Sequence, residues 1–180
     1  AEEWMVDENR IAVCGFSAGG HLAASLGTLY DDEKFLEAGR KVWTDPEWME
    51  KSIRPDAMIL CYPVILANEY AHQGSIEHVS GAAEGTEEYR YFGLDRHVNG
   101  NTPPAYLWHT SDDNCVPLEN SLYFAAALAG AGVPCELHVL PRGEHGMSVC
   151  TKEVGSEDVY NARWMEWSIA WLNRTFSFDR

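Results

Sequence analysis

Basic side chains are scarce in this 180-residue chain: 13 lysines and arginines stand against 28 aspartates and glutamates, for a formal charge of −15. A surface so charged repels phosphate backbones and anionic lipid, so neither nucleic acid nor a membrane is an expected partner. No apolar run is long enough to span a bilayer, and the residues given contain no charged-then-apolar stretch of the signal-peptide kind. Cysteines are few and show no pairing pattern. Cys14, Cys61, Cys115, Cys135 and Cys150 are odd in number, never form C-x-x-C, and mostly fall in or beside apolar strands. The expectation is buried free thiols in a reducing compartment, the cytoplasm, with no metal site and no cofactor. Propeller-like repeats are absent as well.

What is present is an alternation of apolar strand-like and helix-like segments. Strands are expected near 10–14, 57–62, 105–109 and 135–140, and helices over 18–30, over 118–129 closed by Gly130 and Gly132, and near 159–175. Such alternation argues for an α/β fold, a mostly parallel sheet with helices on both faces, in one domain over 1–180. In the last helix Trp164, Trp167 and Trp171 recur at helical spacing, with Ile169 and Leu172 nearby, as a stripe facing the sheet. Two connections, 31–54 and 66–101, are longer than packing requires. The first is charged and holds Trp43, Pro46 and Trp48. The second is polar, with a short helix expected around 86–92.

At the first strand's end the chain reads Gly15-Phe16-Ser17-Ala18-Gly19-Gly20-His21. A G-x-S-x-G sequence between a strand and a small-residue helix fits a nucleophile elbow, which lifts the Ser17 hydroxyl clear of the sheet. Gly15 and Gly19 are expected to be glycine because side chains there would collide with the neighbouring strand and helix. The N–H of Ala18, in the first turn, is the expected donor to a developing oxyanion.

A serine nucleophile needs a base and an acid that orients it. Asp112 and Asp113 follow the 105–109 strand, at the carboxyl end where open parallel sheets collect active sites. The D-x-x-V arrangement favours Asp113, with Val116 entering the next helix and Asp112 stabilising the loop. After the last strand, Gly143-Glu144-His145-Gly146 offers His145 as base, since a near-neutral imidazole can take the serine proton and return it. His21, His72, His78, His97, His109 and His138 lack an equivalent position.

With these residues in hand, the chain resembles the α/β-hydrolases, and within them the small carbohydrate esterases, the acetyl-xylan-esterase and feruloyl-esterase-like enzymes. The resemblance covers nearly the whole chain. Besides the elbow, it rests on Tyr62-Pro63-Val64-Ile65, His72-Gln73-Gly74-Ser75, Thr102-Pro103-Pro104, Trp108-His109-Thr110, Asp112-Asp113, Val116-Pro117-Leu118-Glu119-Asn120-Ser121-Leu122, Gly132-Val133-Pro134 and Gly143-Glu144-His145-Gly146. It implies a serine esterase with Ser17, Asp113 and His145 as catalytic triad, and a carbohydrate or other small ester carrying short acyl groups as partner. It also makes 66–101 a lid-like segment, with Tyr89, Tyr91 and Phe92 as candidate substrate-binding residues.

The resemblance further implies that about four strands precede the elbow, since the family places its nucleophile after the fifth strand. Residues 1–9 read as the end of a helix. The chain is then the C-terminal part of a longer enzyme, with the second oxyanion donor in the preceding part and the sheet edge at 10–14 left open. Two other readings stand beside the esterase: a serine peptidase of the prolyl-oligopeptidase type, and an inactive fragment or non-catalytic protein on a hydrolase scaffold. A homo-oligomer is compatible with all three.

Overall fold

The structure, a computed structural model, describes residues 6–42, 45 and 52–177. Four strands, β1 (Ala12–Phe16), β2 (Ala57–Cys61), β3 (Ala105–Thr110) and β4 (Cys135–Leu140), lie side by side in chain order. Every pairing is parallel, with Cys14 opposite Ile59, Ile59 opposite Tyr106 and Tyr106 opposite Glu136. Parallel neighbours require crossovers, and helices supply them. Helices α1 (Ala18–Thr28) and α2 (Glu33–Arg40) join β1 to β2; α3 (Gln73–Ser80) and α4 (Glu87–Tyr91) join β2 to β3. Helix α5 (Glu119–Gly130) joins β3 to β4, and α6 (Trp164–Phe176) follows.

The central strands are buried on both faces, so their alternation divides one apolar run between two cores. Met58, Leu60, Ala105 and Leu107 face Ala23 and Ala24 of α1 and Phe124 and Leu128 of α5. Ile59, Cys61, Tyr106 and Trp108 face the opposite way, onto Trp164 and Trp171 of α6. Trp167 stacks on His138 with ring centroids 4.7 Å apart. Ile169 is not part of the stripe: it stands about 140° round the helix from Trp164 and is 58% exposed.

Several expectations need correction. The thiols are not uniformly buried, because Cys14 on β1 and Cys115 in the turn after β3 are exposed, while Cys61 and Cys150 are buried. The described part of 1–9 is a turn closed by Arg10 N–H on the Asp7 carbonyl (3.1 Å), not a helix end. Helix α5 runs through Gly130, and the chain turns away at Gly132 (φ 74°), where Val133 N–H returns to the Leu128 carbonyl (2.9 Å). Helix α6 starts later than expected, after a 3-10 turn over Asn161–Arg163.

Both long connections contain helices that the sequence pattern does not announce. Helix α2 is nucleated by Asp32, whose carboxylate accepts the Phe35 N–H (3.0 Å), and it buries no residue. Trp43, Pro46 and Trp48 lie outside the described residues. Helix α3 is capped by His72 and buries only Ile76. At eight residues each, both helices are shorter than the window over which a helical period is read. Segment 66–101 is nonetheless packed: Ile76 and Tyr89 join Val64 and Val116 in a third small core. Among the described residues no strand pairs with the outer edge of β1, and no helix is long and apolar enough to cross a membrane.

Candidate active site

Ser17 sits between the last residue of β1 and the first of α1, in a backbone conformation (φ 53°, ψ −121°) that non-glycine residues rarely adopt. Such strain persists only where the surroundings enforce it. Here Ser17 N–H donates to the Cys61 carbonyl (3.0 Å), and the Ser17 carbonyl accepts from Gly20 and Val64 N–H groups, both at 3.0 Å. The tight turn also dictates glycines, but not the pair expected. A Cβ on Gly15 would strike the Gly19 carbonyl and come within 2.8 Å of Ala23 Cβ, and one on Gly20 would lie 2.7 Å from Pro63 Cβ. Nothing lies within 4 Å of a Cβ built on Gly19. Gly20, packed against the segment after β2, is therefore the second sterically required glycine.

His145 reaches the elbow from the loop after β4. Its Nε2 lies 2.7 Å from Ser17 Oγ and its Nδ1 lies 2.7 Å from Asp113 Oδ2. A carboxylate can only accept, so Nδ1 carries the proton and Nε2 is left to accept from the serine hydroxyl. Three contacts hold this loop in place. Asp112 Oδ1 accepts the Gly143 N–H (2.7 Å), Thr110 Oγ1 donates to the Gly143 carbonyl (2.7 Å), and Asn161 Nδ2 donates to the Arg142 carbonyl (2.7 Å). Asp112 and Asp113 thus divide the work between loop and imidazole.

The Asp113 carboxylate is saturated with donors. Its Oδ1 accepts the N–H groups of Cys115 and Val116, each at 2.9 Å. Its Oδ2 faces His145 and also His109 Nε2, 3.3 Å away. Burial works to raise its protonation equilibrium. The neighbouring His109 imidazole and the hydrogen bonds from His145 and the two backbone N–H groups outweigh that, holding the carboxyl well below the ordinary carboxylate range.

Two contributors escape sequence reading. Tyr62, in the left-handed region (φ 37°), sets its ring edge-on to His145 with centroids 5.0 Å apart. Its hydroxyl accepts the Ser148 N–H (2.8 Å), and burial pushes the phenol up to about 12. The signal for it was its place, directly after a parallel strand's carboxyl end. His109 is fully buried, and the Trp108-His109-Thr110 motif gives it no role.

Ala18 N–H, at the start of α1, donates to no described residue. Tyr89 is 1% exposed and belongs to the third core. Tyr91 Oη donates to Asp32 (2.6 Å), and the Phe92 carbonyl lies 2.9 Å from His21 Nε2. Burial lowers the His21 imidazole against the contrary pull of the Phe92 carbonyl. A hollow of about 450 Å³ lined by residues including Asn68, Glu69, Glu84, Arg90 and Arg96 contains none of Ser17, Asp113 or His145. Among the described residues no group of His, Cys, Asp and Glu could hold a metal ion.

Known proteins resemble this chain in sequence and fold. The chain is 40% identical over 153 residues to endo-1,4-beta-xylanase B of Butyrivibrio fibrisolvens, covering 85% of this chain and 23% of that protein. It is 31% identical over 157 residues to the acetylxylan esterase of Xylanibacter ruminicola, covering 84% of this chain and 28% of that protein. The crystal structure of an acetyl ester-xyloside bifunctional hydrolase from Caldicellulosiruptor lactoaceticus superposes with a TM-score of 0.82 at 41% identity, over 98% of this chain and 60% of that one. The chain therefore spans less than two thirds of each of these proteins. Residues 1–128 match the BD-FAE family, and with that match the chain belongs to the BD-FAE family and carries the α/β-hydrolase fold.

Proposed function

We propose that this protein is a serine hydrolase of carboxylic esters, acting on acetyl or other short acyl groups carried by carbohydrates. The observation that carries the reading is the chain Ser17 Oγ, His145 Nε2, His145 Nδ1, Asp113 Oδ2, with both links at 2.7 Å. The acyl and sugar preference is supported by relatives named as an acetylxylan esterase and an acetyl ester-xyloside hydrolase.

Ser17 Oγ attacks the ester carbonyl as His145 Nε2 takes its proton, and the new C–O bond pushes an electron pair onto the carbonyl oxygen. Ala18 N–H donates to that oxyanion. Collapse of the tetrahedral intermediate breaks the bond to the alcohol oxygen, which leaves with the proton from His145. Water then attacks the acyl-enzyme by the same route and releases the acid. Asp113, fixed by its donors, keeps the imidazole oriented and stabilises its charged form.

Intact mass after treatment of the folded protein with a serine-directed fluorophosphonate tests this, with Ser17→Ala as control. The expected result is one adduct, absent from the control, together with turnover of a chromogenic acetyl ester that falls by roughly 10⁴-fold or more in Ser17→Ala. A folded protein that takes no adduct, or a Ser17→Ala variant that keeps its turnover, overturns the reading.

A further inference from the structure

We infer that His109 is a positioning residue for the reaction proposed above, acting through Asp113, and that Ser121 sets the orientation of its ring. The inference rests on that reading of the site.

His109 belongs to β3, all of whose residues are buried, at a position where an apolar side chain would pack without polar cost. Its imidazole is fully buried, yet both nitrogens have partners. Nε2 lies 3.0 Å from the Val116 carbonyl and 3.3 Å from Asp113 Oδ2, while Nδ1 lies 2.8 Å from Ser121 Oγ. Carbonyl and carboxylate oxygens carry no hydrogen, so Nε2 must be the protonated nitrogen; its N–H bonds the Val116 carbonyl and lies close beside Asp113 Oδ2. In the neutral ring Nδ1 then accepts, and the Ser121 hydroxyl is its donor. Ser121 is itself fully buried in the first turn of α5.

The oxygen that His109 meets is the one that His145 uses. Oδ2 thus bonds the His145 N–H with the His109 Nε2 edge 3.3 Å away, and Oδ1 accepts two backbone N–H groups. A carboxylate so enclosed has little freedom to rotate. The ring also ties together the three segments that carry the acid: the end of β3, the turn to Val116, and the start of α5. Without the His109 donor, Oδ2 is anchored only by the residue it is meant to orient. The ring lies under the site and is wholly buried, so it exerts its effect on the chemical step and leaves substrate binding alone.

The test uses an acetyl ester and the variants His109→Leu, His109→Gln, Asp113→Asn, the double variant His109→Leu/Asp113→Asn, and Ser121→Ala, with Ser17→Ala alongside. His109→Leu is expected to lower kcat by about 10- to 100-fold, the scale of a small misplacement of a catalytic group, with KM unchanged within about twofold. His109→Gln, whose amide can donate to the same oxygen, recovers most of that loss. In the Asp113→Asn background His109→Leu costs little more, because the two act as one unit. Ser121→Ala lowers kcat several-fold, and decides the question if His109→Leu does not fold. Wild-type kcat in folded His109→Leu, losses that multiply in the double variant, a glutamine no better than leucine, or wild-type kcat in Ser121→Ala overturns the proposal. An active Ser17→Ala overturns the hydrolase reading itself, whereas a dead Ser17→Ala beside a fully active His109→Leu overturns only the role of His109.

Discussion

At the scale of single residues, the site is an exercise in holding one buried charge. The Asp113 side chain is 1% exposed, and it stays ionised because three N–H groups bond it and the His109 imidazole lies 3.3 Å away. Its folded-state protonation lies below the unfolded value of about 3.9, so its contribution to stability is fully present above that pH. The contribution is lost as pH falls through the folded value, below the ordinary carboxylate range. Urea denaturation at pH 6 and at successively lower pH checks this, comparing the wild type with Asp113→Asn. The wild type is expected to lose more stability between pH 5 and 3 than the variant, and equal losses would show that Asp113 contributes nothing there. Sequence motifs single out Asp113 and His145 because both follow strands at the carboxyl edge of the sheet. They include His109 and Tyr62 but give them no role, because those roles depend on which side chains they touch.

At the scale of elements, the junction of β1 and α1 decides where Ser17 stands. Helix α1 approaches β1 so closely that Gly15 has no room for a Cβ, and Pro63 after β2 leaves none at Gly20, whereas Gly19 has open space. Gly20→Ala would push on Pro63 backbone, next to the Tyr62 ring that flanks His145. It is expected to cost about 1–3 kcal/mol, the usual penalty for overpacking. Gly19→Ala is expected to be neutral or to stabilise by up to about 1 kcal/mol, through the helix preference of alanine. Chemical denaturation of the two variants distinguishes them, and equal effects would contradict the packing described. The motif names Gly15 and Gly19 by spacing. The pairing of α1 with the Tyr62–Pro63 segment, 43 residues further along the chain, makes Gly20 the tighter position. Helices α2 and α3 were hidden for a different reason, since elements of eight residues are too short for a period to be read with assurance.

At the scale of the molecule, 15 more acidic than basic groups share one surface. Self-repulsion of that size opposes the compact state and is screened by salt, with a Debye length near 10 Å at 0.1 M. Raising sodium chloride from about 10 mM to about 300 mM is expected to raise the melting temperature; a fall would mean that the surface ion pairs, such as Lys34–Glu88, outweigh the repulsion. The sequence by itself determined the class of the fold and the place of each principal strand. Apolar runs bounded by glycine and proline, alternating with helical periods, admit a covered parallel sheet and little else. It also determined that a serine would stand at a strand-to-helix turn, a relationship local in the chain. Tertiary structure decided what is not local. Ser17 and His145 are 128 residues apart, and Asp113 and His145 are 32 apart. Their meeting and the second histidine behind them are set by how parallel strands align their carboxyl ends, which no single segment encodes.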